Sequence, residues 1–127
     1  MFRETSGAAL EKALDGVARR LEAVADNLAN AETPGHRPRR VEFEQALRVA
    51  IEQEHGRQSR EPAVAAIERV TPRVARQPIL GASSVTVDPE TELSALAQNS
   101  LQYEAVARAL TKQFRMIRSA ITGGSQS

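Results

Sequence analysis

Two histidines, His36 and His55, are the only imidazoles in a chain that has no cysteine. They do not stand at i, i+4 on a helix, and no His-Glu-x-x-His or Cys/His ligand set accompanies them, so no metal site is expected. Ser83 and Ser84 follow Gly81 without a Gly-x-Ser-x-Gly frame, and Gly123-Gly124 lies in a tail without lysine. Neither is a nucleophile elbow or a phosphate loop. The carboxylates Glu42, Glu44, Glu90 and Glu92 read as solvated helix faces and partners of helix dipoles. Arg37-Pro38-Arg39-Arg40 could touch phosphate, but Glu42 and Glu44 follow at once and the net charge is only +1. A solvated or subunit-facing patch is the better reading. No catalytic, cofactor-binding or metal-ligating residue is assigned. The chain reads as no enzyme, with no nucleic-acid partner and no small-molecule substrate.

What remains is the chemistry of surfaces, and two stretches dominate it. From Leu93 to Ile121 the positions Leu93, Leu96, Ser100, Tyr103, Ala107, Leu110, Phe114, Ile117 and Ile121 step by three and four residues without interruption. That is the seam of a helix packed lengthwise on another helix. Asp88 is placed to cap it, Pro89 suits its first position, and Glu90 and Glu92 complement its positive end. The same alternation runs through Leu10, Leu14, Val17, Leu21, Val24, Leu28 and Ala31. The first helix is expected from about Ser6 or Gly7 to about Glu32. Its alanines, Ala8, Ala9, Ala13, Ala18, Ala23, Ala25 and Ala29, either raise helicity or admit a second close neighbour.

Between the seams the signals are local. Thr33-Pro34-Gly35-His36 fits a type II turn, with Pro fixing φ at the second position and Gly supplying φ > 0 at the third. Asn27 and Asn30 precede it, where amides can serve free carbonyls or reach a neighbour. Residues 38–41 should be extended, and Glu42 to Gln53 should form a short amphipathic helix with Phe43, Ala46, Leu47, Ala50 and Ile51 on one face. Residues 54–84 are broken by Gly56, Pro62, Pro72, Pro78 and Gly81 and read as a flexible or partner-ordered connector. Within them, residues 63–70 could turn helical, and Val74, Ile79 and Leu80 could make short extended contacts. Val85-Thr86-Val87 alternates like a short strand, and the tail from Thr122 should fray.

The expected fold is therefore all-α. Two long terminal helices pair as an antiparallel coiled coil, with residues 1–35 and 85–127 forming one core. Residues 36–53 dock onto it and 54–84 connect. Aromatic residues make up 3% of the chain, too few for an aromatic-centred core or for base-stacking platforms. Met1 to Ser6 has no apolar signal core, and no run approaches the roughly 18 apolar residues of a membrane span. No direct membrane span is expected, and any passage out of the cytoplasm would use a route without a cleaved signal.

Three blocks resemble the flagellar basal-body rod protein family. They are Ala25-Asp26-Asn27-Leu28-Ala29-Asn30-Ala31-Glu32-Thr33-Pro34-Gly35, then Val41-Glu42-Phe43-Glu44-Gln45-Ala46-Leu47, then Val85 to Leu93 with Ala97-Gln98-Asn99-Ser100-Leu101-Gln102-Tyr103. Two positions depart from the family pattern: Asp26 stands where Asn is usual, and His36 where an aromatic commonly follows the Gly. The resemblance implies a structural subunit of the proximal rod, part of the motility drive shaft in the periplasm, exported by the flagellar type III apparatus. Its implied partners are copies of itself, other flagellar rod proteins, FliE, and the inner-membrane ring or export gate. The competing reading is a small helical adaptor or secretion chaperone in the cytoplasm, which would form a discrete dimer rather than open assemblies.

The site residues of such a protein are interface residues. For helix pairing and assembly they are Leu10, Leu14, Val17, Leu21, Val24 and Leu28 with Leu93, Leu96, Tyr103, Leu110, Phe114, Ile117 and Ile121. For the turn and its subunit contacts they are Asn27, Asn30, Thr33, Pro34 and Gly35. Phe43 and Leu47 are assigned to docking of the short helix.

Overall fold

A computed structural model describes residues 2–56, 64–76 and 87–123. Two long helices carry the architecture, α1 (Phe2–Ala29) and α4 (Pro89–Gly123). Between them lie β1 (Arg39–Glu42), α2 (Glu44–Gly56), α3 (Val64–Glu68) and β2 (Arg73–Arg76).

α1 starts earlier than its Ser6 cap suggested, because nothing from Phe2 to Thr5 breaks a helix. It ends at Ala29, and Asn30 begins the turn. The cap of α4 is as the sequence indicates. Asp88 Oδ1 accepts the Glu90 backbone N–H at 3.3 Å, and its other oxygen accepts the Thr91 hydroxyl. Those donors hold the Asp88 carboxyl below its ordinary value, with the Thr91 bond the largest cause.

The two long helices run antiparallel. Gly7 near the start of α1 faces Gln113 of α4, while Asn27 near its end bonds Glu92 at the start of α4. The two contacts are 20 residues apart on α1 and 21 apart on α4, as lengthwise antiparallel packing requires.

On its other side α1 carries the rest of the chain. β1 and β2 pair antiparallel, Arg39 opposite Arg76 and Val41 opposite Val74. The core lies between α1 and this middle segment: Val17, Ala23, Val41, Phe43, Leu47, Ala50, Ile67 and Val70 are buried, with Ala8, Ala9 and Ala13 packed against them. The small residues of α1 therefore do admit a second neighbour. Gly16 shows why they must be small, since a Cβ there would lie 2.5 Å from the Phe43 ring.

The stretch expected as a connector contains α3 and β2, with Ile67 fully buried. The contacts expected at Ile79 and Leu80, and most of the strand expected at Val85–Val87, fall outside the described residues.

Candidate assembly interface

α1 ends before Ala31, the last residue of its expected seam, and the other six are covered to different degrees. Val17 and Val24 are buried, and Leu10, Leu14, Leu21 and Leu28 are partly covered. α4 divides its seam in two. Leu96, Leu110 and Ile117 are partly covered and Tyr103 is 37% exposed, whereas Leu93, Phe114 and Ile121 are 58%, 55% and 70% exposed. Leu110, Phe114 and Ile117 line one pocket with Gly7, Ala8 and Glu11 of α1. The covered and exposed members belong to the two alternate heptad positions of one apolar row. Of the eight large apolar residues exposed among those described, six are on α4: Leu93, Leu101, Tyr103, Phe114, Met116 and Ile121.

Polar residues fill the places in the α4 seam that the apolar row vacates. Glu92, expected to be solvated, is 2% exposed. The reason is a set of partners far away in sequence. Arg40 donates to Glu92 Oε1 at 2.9 Å, and Asn27 donates to Oε2 at 3.5 Å. Asn27 is itself fully buried and bonds β1 with both ends of its amide, donating to the Arg39 carbonyl at 2.9 Å and accepting the Arg39 N–H at 2.8 Å. One side chain thus ties the end of α1 to β1 and to the start of α4. Burying a carboxylate this way is tolerable only because cationic and amide donors meet it.

The turn behind Asn27 has the type II form read from the sequence. The His36 N–H donates to the Thr33 carbonyl at 3.2 Å, and Gly35 has φ 76°. Asn30 anchors its start: its amide donates to the Asp26 carbonyl at 2.9 Å and accepts the Thr33 hydroxyl at 3.2 Å. Pro34 and Gly35 are exposed at the tip. The two departures from the family pattern meet here. Asp26 Oδ2 lies 4.0 Å from His36 Nε2 and 3.4 Å from Arg39 Nε.

Phe43 and Leu47 are buried, at 3% and 8% exposure. A residue the sequence did not single out, Arg20, holds that dock in place. Its guanidinium lies 4.9 Å from the centre of the Phe43 ring, donates to the Val41 carbonyl at 2.9 Å and to Glu44 Oε2 at 2.7 Å. The Arg20 hydrogen bond is the main reason that the Glu44 carboxyl titrates below its ordinary value. An arginine on a helix gives no sequence signal of this kind. Gly16, a helix-weakening residue in the middle of an alanine-rich helix, does.

The geometry is that of an adhesive structural element: two paired helices, a buried tie between them, a fixed turn, and an apolar row left open on α4. The family model for flagella basal body rod proteins matches residues 9–37, which hold most of α1 and the turn. The flagellar basal body rod protein FlgB of Aeromonas hydrophila is 30% identical over 117 residues, covering 87% of this chain and 88% of that one. FlgB of Yersinia enterocolitica is 30% identical over 129 residues, with 90% and 91% covered. FlgB of Escherichia coli K12 is 29% identical over 130 residues, with 91% of each chain covered.

The chain belongs to the FlgB family of rod proteins. As a FlgB-family chain it is a structural subunit of the flagellar basal-body rod, serves motility, is not an enzyme, and works among other basal-body components. Among the described residues no helix is long and apolar enough to cross a membrane, and no cluster of three or more His, Asp or Glu side chains could hold a metal ion.

Proposed function

We propose that this FlgB-family chain builds the proximal end of the rod through its terminal helices, which act as one unit (residues 1–35 with 85–127). In this reading the subunit leaves the cytoplasm through the flagellar type III apparatus and works in the periplasmic part of the basal body. It meets copies of itself, other rod proteins, and the inner-membrane ring or export gate by way of FliE.

One observation supports this reading above the others. α1 is covered on both faces, while α4 keeps an apolar row (Leu93, Phe114 and Ile121) that is more than half exposed. A solvent-exposed row on the longest helix is the surface expected of a subunit completed by its neighbours. Leu10, Leu14, Val17, Leu21, Val24 and Leu28 pair with Leu96, Leu110 and Ile117 to hold the subunit together. Asn27, Asn30, Thr33, Pro34 and Gly35 set the turn that a neighbour meets. Phe43 and Leu47 dock the middle segment.

Complementation of a strain lacking its rod subunit tests this. Leu110→Asp, which puts a charge into the helix seam, should abolish motility and basal-body assembly. Ile121→Asp, at a 70% exposed position, should leave the monomer folded and still block assembly. Normal motility with both variants would refute the interface assignment.

A further inference from the structure

The two edges of the β1–β2 ribbon differ. The outer edge of β1 is closed by side chains of α1: Asn27 bonds the Arg39 N–H and carbonyl, and Arg20 donates to the Val41 carbonyl. In an antiparallel ladder the N–H and C=O of one residue point to the same side, and the side alternates along the strand. With Arg39 and Val41 turned toward α1, Arg40 and Glu42 are the residues that bond their partners Ala75 and Arg73. Val74 and Arg76 therefore turn their N–H and C=O groups outward, and no described residue bonds them. Val74 is also 50% exposed. Charge marks the same edge. Arg69, Arg73 and Arg76 are exposed and make no ion pair among the described residues. Glu42 stands across from Arg73 without an ion pair between them, and Arg76 stands across from Arg39. This last pair is not hydrogen-bonded, the type in which side chains come closest, and like charges so placed oppose pairing. Arg39 has Asp26 at 3.4 Å to offset its charge. Arg76 has no such partner among the described residues.

We propose that the outer edge of β2 receives an extended acidic segment of a second protein, which joins the ribbon as a third strand. Only a peptide backbone satisfies the outward N–H and C=O groups of Val74 and Arg76 together, so a peptide fits this edge better than a phosphate chain does. Sign excludes β2 of another copy, because two such edges would face arginine with arginine. The same sign admits carboxylates. Register sets the motif. The residues that face Arg73 and Arg76 are three apart in the incoming strand, roughly 10 Å at the rise of a strand, and lie on opposite faces. An apolar residue between them covers Val74. The segment is thus acidic at both ends of a four-residue stretch and apolar within it. This edge is separate from the α4 row that supports the rod reading, so either assignment can fail alone.

A fluorescein-labelled octapeptide with Glu-Val-Val-Glu at its centre, which reads alike in both strand directions, probes the edge on the full chain. Fluorescence anisotropy should show saturable binding. Hydrogen exchange should slow at the Val74 and Arg76 amides, while the Arg73 and Ala75 amides, already turned to β1, change little. Arg76→Ala should weaken binding by up to about fivefold, the range of one exposed ion pair. The double variant Arg73→Glu with Arg76→Glu should lose the acidic peptide and bind a Lys-Val-Val-Lys counterpart instead, which a misfolded chain would not do. Binding without added protection at Val74 and Arg76, or equal binding of a single-stranded oligonucleotide, would show a basic patch without a strand seat and overturn the proposal. Slow exchange at both amides in the free chain would show that the chain covers its own edge, and would overturn it as well. So would absence of binding at millimolar peptide. None of these outcomes bears on the terminal helices, which the Leu110→Asp and Ile121→Asp complementation tests separately.

Discussion

α1 and α4 have similar amphipathic sequences and opposite fates. α1 meets α4 on one face and β1, α2 and α3 on the other, so that even Gly16, Ala8, Ala9, Ala13 and Ala23 are in contact. α4 is longer, 35 residues against 28, yet covers only one edge of its apolar row. The lesson is that apolar periodicity identifies a surface that must be covered, not the molecule that covers it. In α1 the subunit supplies the cover, and in α4 much of the row stays exposed.

The largest test of this contrast removes the same atoms from both environments. Phe43→Ala should cost about 3–5 kcal/mol in urea unfolding, because it empties the space under Arg20 and against Gly16. Phe114→Ala, at 55% exposure, should change monomer stability by no more than about 0.5 kcal/mol. Its effect should appear instead in association and motility. Equal losses of stability in the two variants would show that α4 is as enclosed as α1.

Glycines give a second matched pair. At Gly16 even one added carbon meets the Phe43 ring, so Gly16→Val should destabilise by about 1–3 kcal/mol through overpacking. Gly123 has nothing within 4 Å of such a carbon. Gly123→Ala should leave the melting temperature unchanged or slightly raised, since alanine favours the helix.

The tie between the helices comes next. Asn27→Ala strands the Arg39 N–H and carbonyl and removes one donor from Glu92, at about 1–3 kcal/mol by the cost of an unsatisfied buried group. Hydrogen exchange should quicken at the Arg39 amide, which the Asn27 side chain protects. Unchanged exchange there would mean that β1 stays closed without the tie.

Much of this was legible in the sequence, and the gaps have physical causes. The two long helices, the Thr33–His36 turn and the Asp88 cap are set by local spacing and side-chain type, and a pattern detects those. The edge of the α4 row that turns inward was not legible. It depends on Glu92 being neutralised by Arg40 and bonded by Asn27, partners 52 and 65 residues away. Counting apolar residues assigns a buried carboxylate to the solvent side. The pairing of β1 with β2 was hidden for a related reason. Arg39-Arg40-Val41-Glu42 and Arg73-Val74-Ala75-Arg76 have almost no period-two apolar signal, and their pairing depends on α1 lying beneath Val41. Arg20 was invisible because its role lies in the Phe43 ring and Val41 carbonyl it meets, not in its own neighbours.

The smallest effect distinguishes how the two helices are held at low pH. Glu44 clasps Arg20 on α1, and Asp88 caps α4. Both carboxyls titrate below their ordinary values of 4.5 and 3.8, chiefly through the Arg20 bond and the Thr91 bond. A lowered folded-state value means that the unfolded chain takes up the proton first as pH falls. The stabilisation is complete above the ordinary values and disappears as pH drops through the lowered ones. Glu44 is half exposed, so solvent screening keeps its share below about 1 kcal/mol. Glu44→Gln should flatten part of the acid limb of the stability curve by loosening the clasp between α1 and α2. Asp88→Asn should keep a capping side chain while removing its titration, leaving the α1 side untouched. Hydrogen exchange as a function of pH separates the two: Glu44→Gln should quicken exchange around β1 and the start of α2, and Asp88→Asn only in the first turn of α4. If the same amides responded to both substitutions, the two helices would be opening as one unit, and the division between an enclosed α1 and an open α4 would not extend to their dynamics.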